Sequence, residues 1–295
     1  MSGNGKESAQ EKFAALGDEG RGRLAVVIGG ATGIGEATCE VLSERGWLLV
    51  VADINRDAAA ITAKRLGGHA QWLDTTKPET VEAAAQEIED AHGPVFAMVM
   101  CAAIFQPRRP IDETPLDEWE RILRTNVFGT YMANLAFGRR MAAHGEGAMV
   151  NLSSWNGIRT TPQHAYAASK AGVNMLTEGM AVEWGRSGVR VNGIMPGFVE
   201  VPRVAKQIAD GKRYAGHPKD LSALGRIVQP REVGDAISFL ISDRAAAITG
   251  VNLAVDTGTL VAPSWSMFGG SPAARPRSKT QPLPASAKLP AMTGR

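Results

Sequence analysis

Cysteine is almost missing: Cys39 and Cys101 are the only two in 295 residues. Two thiols cannot build a disulfide framework, and they lack the spacing of metal ligands. Both read as small core residues. No apolar run approaches the ~20 residues that a bilayer-spanning helix needs. The opening MSGNGKESAQEK lacks the apolar stretch of a secretory signal. The expectation is therefore a cytoplasmic chain with no membrane contact and no metal. A basic surface is also lacking. The formal charge is +2, but residues 262–295 hold Arg275, Arg277, Lys279, Lys288 and Arg295 and no acid. The remainder carries 27 basic against 30 acidic side chains, which gives nucleic acid nothing to bind.

Hydrophobic residues make up 44% of the chain and charged residues 21%, the mix of a globular domain. A chain of this length removes roughly three quarters of its unfolded surface from water. Three regions differ in composition. Residues 1–22 are polar and glycine-rich, with a short helix expected at 8–16. Residues 23–261 alternate apolar strands with amphipathic helices. Residues 262–295 are rich in Pro, Ser, Ala and cations, which predicts an extended or disordered tail. No internal repeat is visible. Strands are expected at 24–28, 47–52, 70–73, 95–100, 147–152, 189–194 and 251–255, and helices near 34–45, 57–66, 78–91, 115–143, 164–186 and 231–242. Several strands are unbroken apolar runs, as in strands covered on both faces. Pro115 and Pro230 stand where first helical turns would start. The alternation predicts an α/β fold, a doubly wound, Rossmann-type parallel sheet of about seven strands with helices on both faces. Its ligand site would lie beyond the carboxyl ends of the strands, at the switch in strand order.

The first strand runs into Gly29-Gly30-Ala31-Thr32-Gly33-Ile34-Gly35 and then a helix. A tight turn with no Cβ lets backbone approach a phosphate, and the helix N-terminus attracts a pyrophosphate. The spacing is G-x-x-x-G-x-G rather than G-x-G-x-x-G. The second strand leads to Asp53. A carboxylate there accepts hydrogen bonds from ribose hydroxyls and repels a 2′-phosphate, which favours NAD over NADP; a solvated loop acid or helix cap is the plainer alternative. Arg56, three residues on, would soften the discrimination.

Tyr166 and Lys170 stand four residues apart on a predicted helix, and so on one face. An ammonium beside a phenol, together with an oxidised nicotinamide ring, would lower the phenol's pKa enough for proton exchange with a substrate oxygen. Such a pair alone is common on helix surfaces. Here it comes after Ser154, which ends the apolar strand MVNLSS and would face the same site.

With the glycine turn, Asp53, Ser154, Tyr166 and Lys170 in one chain, residues 22–261 resemble the short-chain dehydrogenase/reductase family. Further matches are Asp74, Asn126 in TNVFG, Pro196-Gly197, GRIVQPREVGDA at 225–236 and ITGVNLAVDTG at 248–258. The resemblance implies hydride transfer between NAD(H) and a secondary alcohol or its ketone. Tyr166 would be the general acid/base. Lys170 would lower its pKa and hold the nicotinamide ribose. Ser154, rather than its neighbour Ser153, would polarise the substrate oxygen. Asn126 would hold a water linking Lys170 to solvent. Cofactor contacts are implied for Gly29, Thr32, Gly33, Ile34, Gly35, Asp53, Asp74 (at the adenine edge), Ala102, Tyr166, Lys170, Pro196, Gly197 and Val199. A homotetramer or homodimer is implied, with the helices near 115–143 and 164–186 against a partner.

Three positions depart from the family. Cys101-Ala102-Ala103 stands where Asn-Ala-Gly is usual, Ile28 replaces a threonine before the glycine turn, and Val201 replaces a threonine that bonds the nicotinamide carboxamide. One such lost bond is worth on the order of 1 kcal/mol. Two other readings stand beside the first: a cofactor-binding scaffold without chemistry, motivated by the first departure, and an NADPH-dependent oxoacyl or polyketide ketoreductase, which Asp53 opposes. Ile104, Phe105, Trp155, His164 and Phe198 are expected around a bulky apolar pocket suited to a cyclic or aromatic substrate. Residues 198–224 would form a lid. Its cations, Arg203 among them, would favour an anionic substrate unless they merely line a solvated helix face.

Overall fold

Strands that are apolar on both faces must be covered on both faces, and the chain meets that demand with a seven-stranded sheet in which every pairing is parallel. The computed structural model describes residues 19–211 and 216–272. The helix expected at 8–16 and the tail from 273 lie outside the described residues.

The strands are β1 (Leu24–Ile28), β2 (Leu48–Asp53), β3 (His69–Trp72), β4 (Val95–Met100), β5 (Gly147–Leu152), β6 (Val189–Pro196) and β7 (Asn252–Val255). Their spatial order is β3-β2-β1-β4-β5-β6-β7. The direction of winding reverses between β1 and β4, and that switch opens a crevice at the strands' carboxyl ends. The connecting helices are α1 (Gly33–Glu44), α2 (Arg56–Leu66), α3 (Pro78–His92), α4 (Leu116–Leu123), α5 (Gly129–His144), α6 (His164–Gly185), α7 (Pro202–Ala209) and α8 (Pro230–Ile241).

Alternation along β1 divides the core. Ala25 and Val27 pack with Cys39 and Leu42 of α1, Ala59 and Ala63 of α2, and Val233 and Ile237 of α8. Leu24, Val26 and Ile28 pack with Val81 and Ile88 of α3, Phe137 and Met141 of α5, and Met180 of α6. Each face thus carries three helices. Local signals fix their starts: Asn55 caps α2 by accepting the Ala58 N–H at 3.1 Å, and Pro230 opens α8 behind a capping box of Gln229 and Glu232.

Two expectations change. The helix predicted over 115–143 is interrupted by a π-helical turn, Arg124–Phe128, between α4 and α5. There the Asn126 side chain turns inward to hold the backbone of Ile104. The tail expected from 262 begins instead with a 3-10 helix, Ala262–Phe268.

Arg190 on β6 closes the carboxyl end of α8. Its guanidinium donates to the carbonyls of Leu240 (2.6 Å), Ile241 (3.2 Å), Ser242 (3.0 Å) and Ile248 (3.4 Å). Terminal helix carbonyls have no partner within the helix, and a cation complements their dipole. Arg190→Met is expected to lower unfolding free energy by about 2–3 kcal/mol, measured by urea melts; a loss below about 0.5 kcal/mol would show that solvent replaces the clasp.

Candidate active site

The crevice is one cavity of about 1480 Å³. Gly29, Thr32, Gly33, Ile34, Gly35, Asp53, Asp74, Ala102, Ser154, Tyr166, Lys170, Pro196, Gly197 and Val199 all line it; Asn126 and His164 do not.

Its floor is built by the glycine turn. Gly29 has φ +79, and a Cβ on it would lie 2.5 Å from the Ala102 nitrogen. A Cβ on Gly35 would lie 2.0 Å from the Gly29 carbonyl oxygen. Neither position tolerates a side chain. The Gly29 and Gly30 N–H groups donate to Ala52 at 2.8 and 3.2 Å, fastening the turn to β2. Thr32 stands at the N-cap of α1 without capping it, so the first-turn N–H groups are open to the crevice. Uncapped donors at a positive helix end, on backbone stripped of Cβ atoms, fit a dinucleotide pyrophosphate.

Asp53 lies where the ribose end of such a ligand would reach. Its carboxylate accepts the Ala31 N–H at 3.2 Å and the Asn55 N–H at 3.0 Å, so it braces the turn and lines the cavity together. Arg56 is held over the Trp72 ring, 4.5 Å from its centroid. Asp74 accepts both the N–H and the hydroxyl of Thr76, at 3.0 and 2.7 Å. Burial pushes its pKa up, but those bonds and Lys77 leave it lowered overall.

Tyr166 lies in the first turn of α6 and Lys170 in the second, both buried. The Lys170 ammonium donates to the Leu152 carbonyl at the end of β5, at 2.6 Å, and sits 5.7 Å from the Tyr166 ring centroid. Burial lowers its pKa to about 8. The Ser153 hydroxyl donates to the Lys170 carbonyl at 3.0 Å, which turns it away from the phenol. Ser154 is the serine whose hydroxyl acts on the Tyr166 phenol, and its oxygen accepts the Asn156 N–H at 3.2 Å. The pKa-lowering expected of Tyr166 is not what the protein alone produces. Burial pushes the phenol up to about 12, against the opposing pull of the Ser154 bond and the Arg203 charge. The Lys170 ammonium, bonded to the Leu152 carbonyl, is not among the groups that offset that burial. The Tyr166 ring is stacked on Phe105 at 4.9 Å, and the Arg203 guanidinium carbon lies 3.6 Å from the Phe105 ring centroid. Trp155 and Phe198 meet across the cavity at 5.5 Å.

Gln106 is a site residue that sequence reading missed. Its side chain is buried, and its oxygen accepts the N–H groups of Ala165 and Tyr166 at 2.8 and 3.3 Å. It therefore caps α6 from another segment while its amide donates to Thr114 at 3.1 Å. Gln163 donates to the Gln106 carbonyl at 2.7 Å. Gln163 at the start of α6 makes no side-chain cap bond of its own, so the cap comes from the distant Gln106 side chain. Asn126 braces the same loop. Its amide accepts from the Ile104 N–H (2.8 Å) and donates to the Ile104 carbonyl (3.0 Å) and Ser169 (3.0 Å), while its own carbonyl takes the Thr130 hydroxyl (2.7 Å).

The departures at 101–103 have a simple accommodation. The N–H groups of Cys101 and Ala102 both donate to the Ile28 carbonyl, at 2.8 and 3.0 Å, so backbone alone ties β4 to β1. Burial pushes the Cys101 thiol up to about 12. Val201 packs against the glycine turn, its methyl 3.6 Å from a Cβ built on Gly33.

Comparison with known proteins agrees with this geometry. A family model described as enoyl-(acyl carrier protein) reductase matches residues 29–259. Cis-4-hydroxycyclohexanecarboxylate dehydrogenase of Sinomonas cyclohexanicum is 37% identical over 80% of this chain and 96% of its own. Galactitol 2-dehydrogenase (L-tagatose-forming) of Cereibacter sphaeroides is 38% identical over 81% and 96%. Among solved structures, a short-chain type dehydrogenase/reductase from Mycobacterium marinum has TM-score 0.76 and 30% identity, covering 84% of this chain and 99% of that one. An NAD+-bound xylitol dehydrogenase has TM-score 0.75 and 27% identity over 79% and 97%. Gluconate 5-dehydrogenase from Burkholderia cenocepacia J2315, in complex with NADP and tartrate, has TM-score 0.76 and 32% identity over 81% and 95%.

The buried ammonium carries a pH signature. Its ordinary value is 10.5 and its folded value about 8, so between those limits the unfolded chain holds a proton that the folded chain has released. Stability from this group therefore rises with pH across that window. The unfolding free energy of the wild type minus that of Lys170→Met, from urea melts between pH 7.5 and 10, is expected to climb. A flat difference would mean that Lys170 keeps an ordinary pKa.

Proposed function

Because the chain belongs to the short-chain dehydrogenase/reductase family of oxidoreductases, whose members move a hydride between a secondary alcohol and a nicotinamide dinucleotide, we propose that this cavity does so with NAD(H) and with Tyr166 as the general acid/base. The observation that carries the reading is convergence. Ser154, Tyr166 and Lys170 meet at the carboxyl end of β5, in the same cavity as the uncapped N-terminus of α1.

The bound dinucleotide supplies the carbon that accepts or gives the hydride. The protein's own groups do the rest. The Ser154 hydroxyl lies beside that of Tyr166, so a substrate oxygen seated between them meets a donor on each side. A phenol pushed upward by burial keeps its proton at neutral pH and is ready to give it to a forming alkoxide. In the oxidative direction the same phenol must lose that proton, and a cationic nicotinamide ring beside it acts in that sense. Lys170 supports the pair through α6 and is placed to reach a ribose hydroxyl. Gly29, Thr32, Gly33, Ile34 and Gly35 would hold the pyrophosphate, Asp53 the adenosine ribose, Asp74 the adenine side, and Ala102, Pro196, Gly197 and Val199 the walls at the nicotinamide end. Asn126 acts as a brace on the loop at Ile104.

Preference for NAD rests on Asp53, whose charge opposes a 2′-phosphate, and on Arg56 being occupied by Trp72. The apolar walls from Ile104, Phe105, Trp155 and Phe198 favour a cyclic alcohol, the kind of substrate that one relative's name carries. Leu116, Tyr131, Met175 and Val182 are exposed on α4, α5 and α6, which supports a homo-oligomer packed through those helices.

Two measurements test the reading. Tyr166→Phe is expected to lower turnover of a cyclic secondary alcohol by about 10²–10⁴-fold, read at the nicotinamide absorbance band, while NADH binding by calorimetry stays close to wild type. Full activity in that variant sinks the mechanism. Wild-type kcat/KM is expected to favour NAD over NADP by about tenfold or more, equivalent to about 1.4 kcal/mol, and Asp53→Ser is expected to narrow the gap. An unchanged ratio would remove Asp53 from cofactor choice.

A further inference from the structure

A phenol that passes protons must keep one place while substrate comes and goes, so both its ring and its backbone need a fixed reference. The loop after β4 supplies both from two adjacent residues. Phe105 stacks on the Tyr166 ring, with centroids 4.9 Å apart. Gln106, only 1% exposed, accepts the Ala165 N–H at 2.8 Å and the Tyr166 N–H at 3.3 Å. These are the second and third N–H groups of α6, the ones that an N-cap side chain ordinarily takes. A serine or aspartate at the N-cap itself would serve helix stability as well. A cap drawn from 59 positions away also fastens α6 to the loop in which Ile104 and Phe105 line the cavity.

The same residue is tied to the serine. Its carbonyl accepts the Gln163 amide at 2.7 Å, the Gln163 oxygen accepts the Asn156 amide at 3.4 Å, and the Asn156 N–H donates to the Ser154 oxygen at 3.2 Å. Hydrogen bonds thus run from residue to residue between the two groups that flank the substrate oxygen, and they pass through Gln106. Gln106 is itself held. Its amide donates to Thr114 at 3.1 Å, just ahead of α4, and Asn126 grips both backbone groups of Ile104 two positions before it. Gln106 does not line the cavity, so it reaches the reaction only through its neighbours.

We propose that Gln106 is a positioning residue for proton transfer: it holds the start of α6 against the loop after β4, so that the Tyr166 phenol keeps one place beside Ser154. This role rests on the dehydrogenase reading for its chemistry and adds the residue that sets the place of the proton donor. Without the Gln106 oxygen the phenol samples several positions, and turnover fails at the proton step rather than at binding. A displacement of about 1 Å costs up to about a hundredfold in rate.

Gln106→Leu removes the acceptor at nearly constant volume, and Gln106→Glu keeps it. In reduction of cyclohexanone with NADH by the full chain, Gln106→Leu is expected to lower kcat by about tenfold to a hundredfold, with KM for the ketone within about twofold of wild type. The solvent deuterium isotope effect on kcat is expected to rise, because proton transfer then limits turnover. Partial unfolding would lower kcat and leave that isotope effect unchanged. Gln106→Glu is expected to recover most of kcat and to move the alkaline limb of the pH profile upward, since a carboxylate near the phenol opposes its ionisation. Gln106→Asn, which withdraws the amide by one carbon, is expected to fall between the two and carries the test if Gln106→Leu does not fold. A second reading needs no turnover. The chain has three tyrosines, so tyrosine labelled with carbon-13 at Cζ gives three lines, and Tyr166→Phe identifies the one from Tyr166. That line is expected to be sharp in the wild type and Gln106→Glu and to broaden or split in Gln106→Leu, with the other lines unmoved. An unchanged isotope effect in Gln106→Leu, or a Tyr166 line that stays single and sharp there, overturns the proposal. Wild-type turnover with that sharp line leaves the dehydrogenase reading standing. A line that broadens only without the acceptor, in a protein that reduces no ketone and oxidises no alcohol, removes the dehydrogenase reading and keeps the hold of Gln106 on the phenol.

Discussion

A buried ammonium held by the last carbonyl of a strand is the contact on which the site's geometry depends. Lys170 reaches from α6 to Leu152, and the main chain of the same residue accepts the Ser153 hydroxyl. These two bonds lock the helix that carries Tyr166 to the strand that presents Ser154. Taking a cation out of water is costly unless every donor finds a partner, which makes the arrangement intolerant of slippage. A shift of α6 by one residue would strand the ammonium among apolar side chains and carry the phenol away from the serine together.

The rest of the cavity derives from the sheet. The reversal of strand order between β1 and β4 leaves a gap that no connecting helix covers, and both the glycine turn and the loop after β4 open into it. Backbone builds the phosphate side and side chains build the substrate side. That division of labour fits chemistry in which the dinucleotide is constant and the alcohol varies.

Much of this was legible beforehand because it is written in local or strictly spaced terms. Unbroken apolar runs gave the strands, and the turn was given by Gly29 and Gly35, where no other residue fits backbone that close, and by Gly33, whose φ of +62 favours glycine. Tyr166 and Lys170 were legible as one helical face. The features that escaped detection are long-range. Gln106 caps a helix nearly sixty positions away, and nothing in the residues around it announces that partner. The π-helical turn at Asn126 was hidden because one extra residue in a helix leaves the apolar pattern almost intact while rotating the turns beyond it. The upward pull on Tyr166 in the protein alone was hidden for a related reason: spacing reveals a neighbouring ammonium but not how dry the phenol is, nor that the ammonium faces a carbonyl.

The loop between β4 and α4 is pinned by side chains rather than by regular structure, at Ile104 through Asn126 and at Gln106 through the start of α6. Between and beyond those two anchors run Phe105 and the stretch Pro107-Arg108-Arg109-Pro110, none of it within a strand. Insertions, deletions or exchanges at 107–110 would reshape the mouth of the cavity, whereas Phe105 is stacked on Tyr166. The molecule thus separates a fixed engine from an interchangeable nozzle, and new substrates are most readily reached by rebuilding that stretch.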